Sequence, residues 1–250
     1  MSQPKPGKQR LDQLLVDRGL ADNRSRAQAL VMAGLVYCET LRLDKPGHKF
    51  AADVPLTVKG KEHPWASRGG LKLARGLEVF DIDPLGKVCL DVGASTGGFT
   101  DVLLSGGAAR VYAVDVGHGQ LDWKLSQDDR VIVLDKTNAR NLSQEEVPEA
   151  VDMIVCDASF IGLQTVLPAP MALAAPGAFL IALIKPQFEV GKGQVGKGGI
   201  VRDAALHDAV CRRIETWFGE QNGWQVLGIS ESPVAGADGN KEFLIGAIHV

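Results

Sequence analysis

The chain has little of what would set it apart from ordinary globular proteins. Its four cysteines, Cys38, Cys89, Cys156 and Cys211, are far apart in the sequence. There is no C-x-x-C pair and no pair of histidines at zinc-ligand spacing, so neither a disulfide scaffold nor a zinc site is supported, and no metal is expected. Cys89 and Cys156 lie inside apolar runs and read as buried thiols. No apolar run approaches the ~18–20 residues of a membrane span. The opening MSQPKPGKQR is polar and lacks the apolar segment of a secretory signal, which makes a reducing cytoplasm the expected compartment. Internal repeats and low-complexity tracts are also missing. With 45% apolar and 23% charged residues in a chain of 250, disordered, collagenous and coiled-coil classes fall away.

A charge excess of one sign is lacking too, but only on average. Lys and Arg number 27 against 30 Asp and Glu, a formal net charge of −3. The first 75 residues carry 14 basic against 7 acidic side chains, and the rest 13 against 23. Counted only to residue 62, the basic end keeps 11 against 7. A basic module fused to an acidic one points to a polyanionic partner for the N-terminal part.

Two rhythms divide the chain. Residues 1–9 read as a disordered basic tail. In RLDQLLVDRG, Leu11, Leu14 and Leu15 fall at helical spacing, and a second helix is expected near Ser25–Met32 with Ala27, Leu30 and Val31 inward. Short alternations at Leu35–Tyr37, Leu41–Leu43 and Pro55–Val58 follow as a small sheet. Residues 63–67 then serve as a linker with Trp65 packing at the junction. From residue 68 the pattern alternates strand and helix. Strands are expected at Val88–Val92, Arg110–Asp115, Val131–Leu134, Val151–Cys156 and Ala178–Ile184, with helices near Gly97–Ser105, Ile161–Ala174 and Asp203–Glu220. Two closing strands near Trp224–Ser230 and Glu242–His249 are joined by a stretch too short for a crossover helix, so they should pair antiparallel. A parallel, doubly wound sheet with one late reversed strand is the pattern of class I, Rossmann-like methyltransferases.

The strongest local signal is CLDVGASTGGF. A strand ends at Asp91, a Gly-rich turn follows, and a helix opens after Gly97 and Gly98. The spacing is G-x-x-x-G-G, not the dinucleotide G-x-G-x-x-G. The acid two positions before Gly93 suits a ligand with a cationic head, such as the amino group of S-adenosylmethionine. Asp115, ending the second strand, could accept from both ribose hydroxyls of a nucleoside. In LDKTNAR, Asp135, Thr137 or Asn138 could contact an adenine edge. The segment GKGQVGKG (191–198) almost spells a P-loop, but it ends in Gly where Mg²⁺ ligation needs Ser or Thr, and no strand runs into it. It reads instead as a loop that touches a phosphate backbone.

Four charged residues stand where chemistry is possible: Lys72 in SRGGLKL, Asp157 after MIVC, Lys185 after FLIALI, and Glu242 before FLIGAI. Asp157 and Lys185, at strand C-termini, point to one crevice. Lys185 is either pinned by a carboxylate, partly desolvated toward use as a base, or a snorkelling strand-end lysine.

With these residues in hand, the chain resembles the TlyA (hemolysin A-like) family, in which an S4 RNA-binding domain is fused to an FtsJ-like RNA ribose methyltransferase. RLDQLLVDRGLADNRSRAQALVMAGLV resembles the S4 signature. SRGGLKL, DVGASTGGFTDVLL, VCDASFI, LIKPQFEVG and GNKEFL resemble the methyltransferase motifs, in order. The resemblance implies an S4-like α+β domain over 10–62, and over 68–250 a mostly parallel seven-stranded sheet with one antiparallel strand. It implies methyl transfer from S-adenosylmethionine, leaving S-adenosylhomocysteine, to a ribose 2′-hydroxyl of ribosomal RNA in ribosomal subunits, with cytidine the target. The family's Lys-Asp-Lys-Glu set falls on Lys72, Asp157, Lys185 and Glu242. Cofactor contacts fall on Asp91, Gly93, Ala94, Ser95, Thr96, Gly97, Gly98, Phe99, Asp115, Thr137, Asn138 and Asp157. RNA contacts fall on Arg10, Arg18, Arg24, Arg26, Arg68, Lys192 and Lys197, and no membrane is implied. Phe160 or Phe188 could stack on an extruded base or belong to the core. The chain departs from the family at VYCETLR, where Cys38 and Glu39 replace a basic strand. A non-catalytic RNA-binding or ribosome-assembly factor is the competing class, and a hemolysin follows from the family's second name alone.

Overall fold

A computed structural model describes residues 8–21, 23–59, 63–236 and 239–250, apart from the side chain of Lys192. The chain separates into two compact units, Met1–Pro64 and Trp65–Val250.

In the first unit, β1 (Lys8–Arg10) runs into α1 (Leu11–Asp17), followed by α2 (Arg24–Met32), β2 (Val36–Cys38), β3 (Leu41–Arg42), β4 (Lys49–Ala51) and β5 (Leu56–Val58). Asn23 caps α2 by accepting from the Arg26 amide at 2.9 Å. Leu11, Leu15, Ala27, Val31, Val36 and Leu43 close a small core. The expected tail needs correction at its end. Lys8 and Gln9 pair antiparallel with Ala51 and Phe50, a partner too distant in sequence for polar residues to announce. Residues 1–7 lie outside the described part of the chain.

Asp12 organises this unit. Its buried carboxylate accepts from Arg10 Nε at 3.0 Å and Nη2 at 2.8 Å, from Arg24 Nε at 3.0 Å and from Gln28 Nε2 at 2.9 Å. The hydrogen bonds from Arg10 lead in holding its carboxyl well below the usual range, against the opposing effect of burial. Its contribution to stability is therefore present above the normal carboxylate pKa and lost as pH falls through the depressed one. Asp12→Asn should destabilise the first unit by about 1–3 kcal/mol at pH 7 and narrow its difference from wild type in acid, as read by urea denaturation at pH 7 and pH 3.

The second unit contains α3 (Gly69–Phe80), β6 (Val88–Val92), α4 (Gly98–Ser105), β7 (Arg110–Val114), α5 (Trp123–Ser126), β8 (Val131–Leu134) and β9 (Val151–Cys156). It continues with α6 (Leu163–Val166), α7 (Pro168–Met171), β10 (Ala174–Ile184), α8 (Pro186–Glu189), α9 (Ala204–Gly219), β11 (Trp224–Glu231) and β12 (Phe243–His249). Seven strands form one sheet in the order β11-β12-β10-β9-β6-β7-β8. Only β12 runs against its neighbours, pairing antiparallel with both β10 and β11. Both faces are covered, so successive residues of a strand enter different cores. Leu90, Val92, Ile154, Cys156, Ala182 and Ile184 pack with Val210, Ile214 and Phe218 of α9. Cys89, Met153, Val155, Ile181 and Leu183 pack with Leu73, Phe99 and Leu103 of α3 and α4.

One helix differs from its expected form. Residues 161–174 are not a continuous helix but the two short turns α6 and α7, with β10 already starting at Ala174. Pro168 and Pro170 lack the amide donors that a through-running helix needs. Trp65–Ser67, expected in a linker, pack within the second unit. The Ala66 amide donates to Asp101 Oδ2 at 2.7 Å, and Trp65 lies against Gly70.

Candidate active site

The C-terminal ends of β6, β9 and β10 open onto a cavity of about 630 Å³. Its wall includes Arg68 and Lys72 from the start of α3, Gly93–Thr96, Gly98 and Phe99 from the Gly-rich turn, and Asp157, Ser159 and Phe160 after β9. Lys185, Gln187 and Phe188 after β10, and Gly236, Asn240 and Glu242 ahead of β12, complete it.

The four charged residues meet here. Lys185 Nζ lies 2.6 Å from Asp157 Oδ1 and donates to Ser159 Oγ at 2.9 Å and to the Asp157 carbonyl at 3.2 Å. Lys72 Nζ donates to Glu242 Oε2 at 2.6 Å and lies 3.9 Å from Asp157 Oδ2. Lys72, Lys185 and Glu242 are 8%, 7% and 2% exposed. Of the three readings open for Lys185, the carboxylate-pinned one describes the structure. Two ammonium and two carboxylate groups are thus held in a low-dielectric wall, each charge beside one of opposite sign.

The Gly-rich turn is shaped by close approach. A Cβ on Gly93, whose φ is +85°, would meet the backbone of Ala158 and Asp157 at 3.1 Å. A Cβ on Gly98 would lie 3.0 Å from the Gly70 amide nitrogen, so the starts of α3 and α4 abut. Asp115 braces the turn, accepting from the Ser95 amide at 2.9 Å and the Gly117 amide at 2.7 Å.

Asp91, Gly97, Asp115, Thr137 and Asn138 stand outside the cavity lining. Thr137 Oγ1 donates to the Asp135 carbonyl, and Asn138 Oδ1 caps the turn Ala139–Asn141 by accepting from the Arg140 amide. Asp91 is wholly buried behind the turn, its Oδ2 accepting from Thr100 Oγ1 at 2.7 Å. Its Oδ1 has no hydrogen bond among the described residues, and neither does the shielded Oε1 of Gln187. Burial pushes the Asp91 carboxyl up to about 7, with the Thr100 hydroxyl opposing and Asp157 and Asp115 adding smaller increments.

That shift has a stability consequence of definite sign. The folded protein keeps the Asp91 proton up to about pH 7, whereas the unfolded chain releases it near 3.8. Stability from this group is present below about pH 4 and falls by up to about 1.4 kcal/mol per pH unit between there and 7. Asp91→Asn should therefore gain on wild type as pH rises from 5 to 7 in urea denaturation. A gap that does not change with pH would contradict the assignment.

Burial also pushes the Cys89 and Cys156 thiols up to about 12, in keeping with inert core groups. Phe160 is 90% exposed at φ +65°, with its ring 5.1 Å from that of Phe188, so it is no core residue. Ser159, Gln187, Gly236 and Asn240 were not singled out by sequence reasoning, because Ser, Gln, Gly and Asn carry no motif signal until the chain brings them to Lys185 and Glu242.

Among the expected RNA contacts, Arg10 and Arg24 are tied to Asp12 yet half exposed. Arg18 donates to the carbonyls of Val54 and Ala52. Arg26, Arg68 and Lys197 are exposed, and the Lys192 side chain lies outside the described part of the chain. The segment 191–198 follows the helical turn α8, not a strand, unlike a P-loop. Among the described residues no group of three or more His, Cys, Asp or Glu side chains could hold a metal ion, and no helix is long and apolar enough to cross a membrane.

The chain is similar to known proteins in both of its units. A family model described as FtsJ-like methyltransferase matches residues 65–248, and one described as S4 domain matches residues 9–52. Over 241 residues the chain is 48% identical to the 16S/23S rRNA (cytidine-2'-O)-methyltransferase TlyA of Mycobacterium tuberculosis (strain ATCC 25618 / H37Rv), covering 94% of this chain and 88% of that one. It is 38% identical over 244 residues to Hemolysin A of Brachyspira hyodysenteriae, covering 94% and 98%. A solved structure from Streptococcus thermophilus with a provisional hemolysin name superposes with a TM-score of 0.75 at 42% identity, covering 99% of this chain and 90% of that chain.

Proposed function

The chain belongs to the FtsJ-like methyltransferase family and carries an S4 domain, and we propose that it methylates a ribose 2′-hydroxyl of ribosomal RNA, with cytidine as the target nucleoside and S-adenosylmethionine as the methyl donor. The observation that carries this reading is the crossed pair of buried ion pairs, Lys185 on Asp157 and Lys72 on Glu242, beside the Gly-rich turn.

The turn fits the donor. Gly93 and Gly98 let the turn pack directly against the backbone of Ala158 and Gly70, and its Ala94–Thr96 edge faces the cavity, while the buried Asp91 behind it keeps one oxygen without a hydrogen bond among the described residues. Ser95, Thr96 and Phe99 line the same space, with Asp115 bracing it. When bound, S-adenosylmethionine supplies a methyl group already activated on a sulfonium.

The protein's task is then to align and deprotonate a hydroxyl that is a poor nucleophile near neutral pH. Lys185 accepts or polarises the hydroxyl's proton, held in place by Asp157 2.6 Å away. Glu242 holds Lys72 in place, and Lys72 in turn binds the ribose or its phosphate. Orientation of this kind can contribute up to ~7–11 kcal/mol to lowering the barrier. A ribose in a duplex has to be exposed by extruding its nucleotide, and the exposed Phe160 ring tilted on Phe188 offers the freed base a stacking surface. Arg10, Arg18, Arg24, Arg26, Arg68, Lys192 and Lys197 would grip phosphates, with affinity falling as salt rises.

The test is transfer of labelled methyl to ribosomal subunits and to naked ribosomal RNA, followed by nuclease mapping. Label on a cytidine ribose is expected, and transfer to none of these substrates overturns the reading.

A further inference from the structure

Asn240 is buried just ahead of β12, two residues before Glu242. Its amide makes two different hydrogen bonds to a distant stretch of chain. Oδ1 accepts from the Val201 amide at 3.1 Å, and Nδ2 donates to the Gly199 carbonyl at 3.0 Å. From the opposite side, His207 in the first turn of α9 donates from Nε2 to the Val201 carbonyl at 2.9 Å. The His207 ring is itself buried, with its centroid 5.7 Å from that of Phe243. Val201 is itself buried. Three backbone groups of residues 199–201 are thus held by two buried side chains, while the Gly- and Lys-rich residues before them are largely exposed.

That stretch matters because Gly199 and Val195 form part of the reactive cavity's wall. A loop rich in glycine has many conformations of similar energy. It presents one wall to a substrate only if an anchor selects one, and the anchor here needs both halves of a primary amide. A carboxylate at the same position could accept from Val201 but would face the Gly199 carbonyl with a second acceptor.

We propose that Asn240 is a positioning residue of the methyl-transfer site, fixing the 199–201 wall of the cavity to the strand start that carries Glu242. The kinetic part of this proposal rests on the methyltransferase reading; the structural part does not. Loss of the amide leaves two backbone groups without partners but leaves Lys185 and Asp157 in place. The expected signature is therefore weaker capture of RNA with the chemical step largely retained.

The experiment compares full-length wild type with Asn240→Ala, Asn240→Asp, His207→Ala and His207→Gln, well below their melting temperatures. In Asn240→Ala, hydrogen exchange at the Val201 amide should accelerate about tenfold or more, and in both Asn240 variants KM for ribosomal RNA should rise about tenfold with kcat changed less than about threefold. His207→Gln keeps a donor and should stay closer to wild type than His207→Ala. Combining Asn240→Ala with His207→Ala should cost less than the two separate effects multiplied, since both act through Val201. Unchanged Val201 exchange in Asn240→Ala overturns the proposal. So does an Asn240→Asp enzyme that behaves like wild type, or a loss confined to kcat. If Asn240→Ala does not fold, His207→Ala carries the same exchange and KM measurements. If wild type transfers no methyl group, the functional reading fails, and Val201 exchange alone decides the anchor.

Discussion

Lys185→Ala should lower methyl transfer to ribosomal RNA by about 10²–10⁴-fold, the range that a positioned acid or base contributes. The substitution removes the nitrogen that sits 2.6 Å from Asp157 Oδ1 at the end of β10. It should not unfold the protein, because Asp157 keeps Lys72 Nζ at 3.9 Å from its other oxygen and is not left as an isolated charge. Among the described residues Lys185 makes its hydrogen bonds and ion pair to Asp157 and Ser159 and none to the Gly-rich turn, so S-adenosylmethionine affinity by calorimetry should change little. Lys185→Arg separates charge from proton transfer. It restores a cation beside Asp157, yet a guanidinium does not give up its proton in proteins and cannot serve as base. An arginine variant as inactive as the alanine variant supports proton uptake by Lys185. An alanine variant as active as wild type removes Lys185 from the mechanism.

Gly236→Ala should be nearly as damaging, although glycine at this position bears no charge and its backbone is not left-handed. A Cβ there would lie 2.5 Å from the Glu242 carboxyl carbon and closer still to Oε1. Glu242 is buried, and swinging its carboxyl clear of the added methyl moves Oε2 away from Lys72, whose buried side chain then loses the acceptor at 2.6 Å. Breaking a buried pair in this way costs about 3–5 kcal/mol, and at ~2–4 °C per kcal/mol for a unit of this size the melting temperature should fall by roughly 6–20 °C. Methyl transfer should drop with it, measured at a temperature where the variant is still folded. Gly219→Ala is the matched control, since a Cβ on Gly219 meets nothing within 4 Å. A Gly236→Ala protein with wild-type melting and activity would show that Glu242 has another way to hold Lys72.

Hydrophobic rhythm made most of the second unit legible. Val88–Val92, Val131–Leu134 and Val151–Cys156 are strands with the expected bounds, because strands of a sheet covered on both faces are dominated by apolar residues. The reversed last strand followed from a connection too short to cross the sheet. The misread stretch, 161–174, had apolar spacing adequate for a helix, but Pro168 and Pro170 decide locally against it. In the first unit, the pairing of Lys8–Arg10 with Lys49–Ala51 had no signal in either segment, since a short polar strand is defined by its partner.

The net charge of −3 concealed a basic N-terminal end, and the sequence alone was enough to reveal it. The sequence also determined where strands end, and hence that Asp157 and Lys185 stand at one edge of the sheet. Only the tertiary structure decided which charge pairs with which. Lys72 and Glu242 are 170 positions apart, and nothing in their neighbours announces a bond of 2.6 Å. It likewise decided that Arg10 and Arg24 share the Asp12 carboxylate, and that Asn240 and His207 meet at Val201. The reason is physical. Periodicity and turn chemistry act over a few residues and are written in order along the chain, whereas ion pairs and buried amide bonds depend on distances that exist only once the sheet has formed.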